Sequence, residues 1–99
     1  MAKHDVYENP DNGGYLLDVQ SDLLDSLNTR IVVPLMPLHE APQAAKRLNP
    51  IFEIKDMQVV MVSQFLAAVP TTILGKPEQN LGESSVEITN ALDMVFQGF

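Results

Sequence analysis

A mainly β fold closed by one C-terminal α-helix is what this sequence predicts, and two observations predict it. Up to residue 75 the apolar residues come in short runs, several of them β-branched, separated by clusters of Asn, Asp, Gly, Ser and Pro. After residue 84 the period changes. Ile88, Ala91, Leu92, Val95, Phe96 and Phe99 recur at i, i+3, i+4, i+7, i+8 and i+11, the stripe of an amphipathic helix and of no strand.

Each element follows from its own chemistry. His4 to Glu8 reads as a strand and Tyr15 to Gln20 as its hairpin partner, because the intervening Asn9-Pro10-Asp11-Asn12-Gly13-Gly14 tolerates tight turns and positive φ. Ser21 to Ser26 reads as a turn or one helical turn, since small polar side chains there bond their own backbone. Arg30-Ile31-Val32-Val33 is a strand expected to stop at Pro34, which lacks a ladder donor. Pro42 opens room for a short helix over Gln43 to Leu48 before Pro50. Ile51 to Ile54 and Met57 to Val62 flank Lys55-Asp56 at the spacing of a tight hairpin, with the second strand covered on both faces. Val69 to Gly75 reads as the last strand. Ser84 with Glu87 three residues on forms a capping-box pattern that starts the helix.

Ninety-nine residues with 45% apolar and 19% charged side chains suit one domain over residues 1–99, with strands over about 4–75 and the helix over about 84–98. No apolar stretch approaches the roughly 18 residues of a bilayer helix, so a soluble chain with no membrane partner is expected. Asp5 and Glu8 stand where a secretory leader is basic and then apolar, which makes the cytoplasm the expected compartment. The absence of cysteine removes disulfides, thiolate nucleophiles and thiolate-held zinc. A net charge of -7 disfavours direct contact with nucleic acid, and only Lys3, Arg30, Lys46, Arg47, Lys55 and Lys76 are available for a basic patch.

No catalytic constellation stands out. Asp18, Asp22 and Asp25 around Ser21 lack the glycine and terminal glutamate of a calcium loop, and they read as turn chemistry. His4 and His39 sit in no ligand or proton-shuttle motif and read as surface residues. Lys46-Arg47 reads as a solvated face, and Gly13-Gly14 and Gly75 as turns. No catalytic residue, metal site or cofactor is expected. The feature that does stand out is Phe96-Gln97-Gly98-Phe99, two aromatics at the end of a helix, where a contact with another chain competes with ordinary core packing.

Several segments taken together carry a family resemblance: Asp18-Val19-Gln20-Ser21-Asp22, Arg30-Ile31-Val32-Val33-Pro34-Leu35, Leu48-Asn49-Pro50, Val69-Pro70-Thr71-Thr72-Ile73-Leu74-Gly75, and a terminal helix ending in Gly98 plus an apolar residue. In this order the chain resembles the CcdB family, the toxins of bacterial type II toxin-antitoxin modules. The resemblance implies an SH3-like barrel and a homodimer that sets the two helix ends side by side, with Phe96 and Phe99 at the dimer interface. It implies a noncatalytic poison of the DNA gyrase A subunit that traps the cleaved gyrase-DNA complex. It also implies neutralisation by a CcdA-like antitoxin that folds on binding, through which alone the complex meets operator DNA. The family's gyrase-contacting end reads Trp-Gly-Ile, and the matching positions are Gln97, Gly98 and Phe99. Gln97 offers no flat π face for an arginine, a contact worth about 0.5 to 2 kcal/mol. Two alternatives follow. One is a degenerate member that keeps antitoxin binding without poisoning gyrase. The other is a MazF-like endoribonuclease on the same barrel, for which loss of specific RNA cuts on Arg30→Ala is the expected signature.

Overall fold

The computed structural model describes residues 1–11, 13–42 and 45–98. Among the described residues, seven strands and one α-helix make the frame. They are β1 (Asp5–Glu8), β2 (Tyr15–Asp18), β3 (Thr29–Pro37), β4 (Ile51–Ile54), β5 (Met57–Met61), β6 (Ala67–Pro70), β7 (Gln79–Asn80) and α1 (Ser85–Gln97). All pairings are antiparallel in one sheet of order β4-β5-β3-β2-β1-β7, with β6 also on β3. The sheet curls into a nearly closed barrel, as the family resemblance implies, with the helix following the last strand.

The hub is β3. One of its edges carries β2 in the register Asp18↔Val32 to Tyr15↔Leu35. Its other edge is shared, with β6 on Thr29 to Val32 and β5 on Leu35 to Pro37. The strand therefore runs through Pro34, contrary to the sequence expectation that it stops there. Pro34 lies where β6 hands over to β5. Its carbonyl accepts from the Val62 N–H at 3.0 Å, so the missing donor falls on the gap between two partners rather than inside a ladder.

Strand alternation divides the core in two. Val6, Leu17, Val33, Leu35, Phe52, Ile54, Val59 and Met61 face one side, where Leu81 and the α1 residues Ile88 and Ala91 cover them. Tyr7, Leu16 and Val32 face the other side under Leu74 and Val69. Each fully buried aliphatic side chain is worth about 1.5 to 3 kcal/mol, so the two faces together supply the main driving force.

The remaining expectations are met or corrected for local reasons. The β4–β5 hairpin forms without glycine because Lys55 (φ 48°) and Asp56 (φ 68°) themselves take the positive φ that a primed turn requires. Strand β6 ends at Pro70, and Thr71–Ile73 coils into a 3-10 turn, so Val69 to Gly75 is not one strand and β7 comes after it. Between Pro42 and Pro50 the described residues show a turn at 46–48 and no helix, with the Asn49 N–H closing on the Ala45 carbonyl at 2.7 Å. Gln43 and Ala44 of that expected helix lie outside the described residues. Ser84 is the N-cap of α1, but its hydroxyl makes no capping bond. A 3-10 turn, Gly82–Ser84, leads in instead, and the Ser84 N–H donates to the Leu81 carbonyl at 2.9 Å.

Asn49 ties the 45–50 loop to the barrel. Its buried carboxamide donates to the Met61 carbonyl at 3.1 Å and to Gln64 Oε1 at 2.9 Å, and it accepts from the Ala45 N–H at 3.1 Å. Truncation leaves the buried Met61 carbonyl without this donor. We expect Asn49→Ala to lower the unfolding free energy by about 1 to 3 kcal/mol in a urea titration, with an unchanged m-value.

Candidate functional site

Two places hold the residues to which the sequence draws attention, and they have opposite characters. The first is a buried polar cluster at the β2–β3 junction. Continuing the β2–β3 register past Asp18↔Val32 sets Arg30 opposite Gln20 and diagonal to Asp18, on the face that also carries Tyr7 and Leu16. The guanidinium is fully buried. Its Nε donates to Asp18 Oδ2 at 2.8 Å and its Nη2 lies 2.7 Å from the same oxygen. Asp18 Oδ1 accepts from the Gln20 N–H at 3.0 Å. Gln20 in turn donates to the Leu24 carbonyl at 3.0 Å and accepts from the Ile31 N–H at 3.1 Å, which pins the 21–28 loop to β3.

Burial raises the Asp18 carboxyl above its ordinary range, against the opposing pull of the Gln20 N–H and Arg30. Tyr7 is pushed up to about 12, first by burial and then by Asp5. The three aspartates of the sequence do not converge. Asp18 is a core residue rather than a turn residue, Asp22 accepts from the Lys3 N–H at 2.8 Å, and Asp25 is exposed. Arg30 is thereby withdrawn from any basic patch. Lys46 and Arg47 remain exposed on a turn beside Pro50, Glu87 and Asn90.

His4 borders the buried cluster instead of sitting free on the surface. It is half-buried at φ 74°, its N–H donates to the Asp18 carbonyl at 2.7 Å, and its carbonyl accepts from the Leu81 N–H at 2.9 Å. His39 is exposed.

The second place is the end of α1. Ile88 and Ala91 anchor the helix on the core, Leu92 packs half-buried against it, and the stripe then leaves the protein. Phe96 is 68% exposed, and Gln97 and Gly98 are exposed beside it. Gly98 stops the helix in the left-handed conformation at φ 78°, its N–H donating to the Met94 carbonyl at 3.1 Å. A side chain there meets nothing within 4 Å but is strained by that φ, so glycine has a local reason to stand at this position. Phe99 lies outside the described residues. An aromatic and an amide are thus presented to solvent at a helix end. Sequence reasoning assigned no role to the leucines of the Ser21 to Ser26 turn, yet Leu23 is 93% exposed.

Burial first, and Lys3 second, lower the His4 imidazole from 6.5, while Asp18 and Asp22 oppose. A depressed folded-state value stabilises the protein at pH above 6.5, and that contribution is lost as pH falls through the folded value. Asp18, raised, acts in the opposite sense, being most favourable at low pH, so a comparison is needed to isolate His4. We expect the wild type to lose more stability than His4→Asn, which suits the positive φ, when urea titrations are carried from neutral pH downward.

Comparison with known proteins places the arrangement. The model of the CcdB protein family matches residues 3–98. Among solved structures, the Mycobacterium tuberculosis toxin MazF-mt6 superposes with a TM-score of 0.74 at 12% identity, covering 93% of this chain and 95% of that one. An endoribonuclease in complex with its cognate antitoxin, from a mycobacterial species, gives 0.76 at 12% identity over 97% and 94% of the two chains. A further mycobacterial endoribonuclease gives 0.72 at 14% over 97% and 90%. At such identities the superpositions establish a shared barrel and nothing of its chemistry. The family model, spanning nearly the whole chain, does more: this protein belongs to the CcdB family, the toxins of toxin-antitoxin modules.

Proposed function

We propose that the protein is a noncatalytic toxin that binds the DNA gyrase A subunit through Gln97, Gly98 and Phe99 and traps gyrase on cleaved DNA. In this reading two copies pair through Phe96 and Phe99, so that both helix ends reach one target, and an antitoxin neutralises the pair in the cytoplasm. Operator DNA is met through the antitoxin. The observation that carries the reading is a helix end left open on a scaffold whose family is that of a gyrase poison: Phe96, Gln97 and Gly98 are all exposed. The net charge of -7 fits a protein target that holds the DNA itself. The structural likeness to an endoribonuclease bound to its cognate antitoxin supports an antitoxin partner for this chain as well.

The same likeness favours a second reading, an endoribonuclease. RNA cleavage needs a cation on the phosphate and a positioned acid and base. Arg30 supports it poorly, because its guanidinium is buried against Asp18 inside the barrel, away from solvent. Loss of cutting in Arg30→Ala therefore no longer marks an enzyme, since the variant loses a structural ion pair. A third reading, a member that keeps the fold and antitoxin binding without gyrase activity, is motivated by Gln97.

Purified protein, gyrase, ATP and supercoiled DNA decide among the three. Linear, gyrase-linked DNA is expected to accumulate at micromolar toxin, to increase with Gln97→Trp, and to be absent without gyrase, while a mixed RNA substrate stays intact. No cut DNA from folded protein, with or without Gln97→Trp, contradicts gyrase poisoning. Specific RNA cuts favour the enzyme.

A further inference from the structure

The seam of the barrel lies between its terminal strands. Strands β4 and β7 are the two ends of the sheet, and among the described residues no backbone ladder joins them. Two side-chain links cross between them. Lys55 pairs with Glu78, and Gln79 Nε2 donates to the Glu53 carbonyl across a long 3.5 Å. Lys55 is 57% exposed, and ion pairs so open to water contribute little.

What lies beyond that seam is one continuous piece. Strand β7 is two residues long and is held to β1 by Asp5↔Asn80 and Val6↔Gln79, with flanking bonds from Glu78 N–H to Val6 and from Leu81 N–H to His4. The chain then passes through the 3-10 turn Gly82–Ser84 directly into α1. Within α1 only Ile88 and Ala91 are fully buried, and Val86 is 72% exposed. On the other side, Leu74 is anchored in the second core cluster, and the exposed Gly75, Lys76 and Pro77 connect that anchor to Glu78.

We propose that residues 78–97 form a strap that opens and recloses as a unit, hinged at 75–77 and latched by the Lys55–Glu78 pair, without unfolding the rest of the barrel. The strap has few fully buried side chains, a short ladder on one edge only, and a solvent-exposed latch on the other, which are the properties of a low-stability cooperative unit. Strands β2, β3 and β5 have backbone partners on both sides and lie outside it. The inference is independent of the target proposed above. Its consequence is that Phe96, Gln97 and Gly98 ride on the moving part.

Native-state hydrogen exchange of the intact protein, read by NMR, tests this. Amides of 79–80 and 88–97 are expected to share one opening free energy and to exchange about ten-fold or more faster than those of β3 and β5. Glu78→Gln is expected to raise the strap's opening about two- to five-fold while leaving β3 and β5 unchanged. Lys55→Asn, compatible with positive φ, should match it, and the double variant should do no more than either alone. Strap amides that exchange with β3 and β5, helix amides that fray turn by turn from the C-terminus, or a Glu78→Gln effect spread equally over all amides would each overturn the proposal.

Discussion

The Asp18–Arg30 pair sets the terms for the rest of the molecule. Two charges have been taken out of water on one face of the sheet, and each is tolerable only while the other is there. That requirement fixes more than one contact. Arg30 reaches Asp18 only if β2 and β3 keep the register that opposes Asp18 with Val32, and a slip by one residue sends the two side chains to opposite faces. Asp18 also accepts from Gln20, whose carboxamide clamps Leu24 and Ile31, and its own carbonyl receives the His4 N–H. The N-terminal segment, the 21–28 loop and the hub strand therefore meet at one buried charge pair.

That arrangement bears on what the protein can do. The Arg30 guanidinium is buried against Asp18 and so closed off from a phosphate in solvent, although its Nη1 and Nη2 make no hydrogen bond among the described residues, and the remaining cations stand on the surface or, like Lys55, pair with a neighbouring carboxylate. A barrel of the same shape serves endoribonucleases, so shape alone does not choose between chemistry and contact. The choice rests on particular side chains. Here Asp18, Gln20 and Asn49 are tied into the fold inside the barrel, while an aromatic and an amide stand exposed at the end of α1.

Much of this was readable in the sequence, for identifiable reasons. The phase of Ile88, Ala91 and Leu92 gives the helix and its buried side because a 3.6-residue period admits one solution. The β4–β5 hairpin follows from the spacing around Lys55-Asp56. The strand through Pro34 was not readable, since it depends on which partner lies beside that residue, and pairing is a property of the folded sheet. The same holds for Arg30. On β3 it alternates in phase with Val32, and nothing local tells a snorkelling arginine from one paired with an aspartate twelve residues earlier. Ser84 and Glu87 show the reverse failure, a local pattern present in the sequence whose hydroxyl bond gives way to a 3-10 lead-in. At the candidate site the helix phase placed Phe96 on the apolar stripe and left core packing and contact with another chain open, so its exposure, like the left-handed geometry that explains Gly98, needed the folded structure.

The most direct test of the view that Arg30 serves structure is a double-mutant cycle of Asp18→Leu and Arg30→Met, read by urea unfolding at neutral pH. Each single variant leaves an unpaired buried charge and is expected to cost about 3 to 5 kcal/mol, while the double variant recovers most of that loss. Additive effects, or an Arg30→Met protein as stable as the wild type, would show that the guanidinium is not committed to the core and would return it to the list of groups available for chemistry.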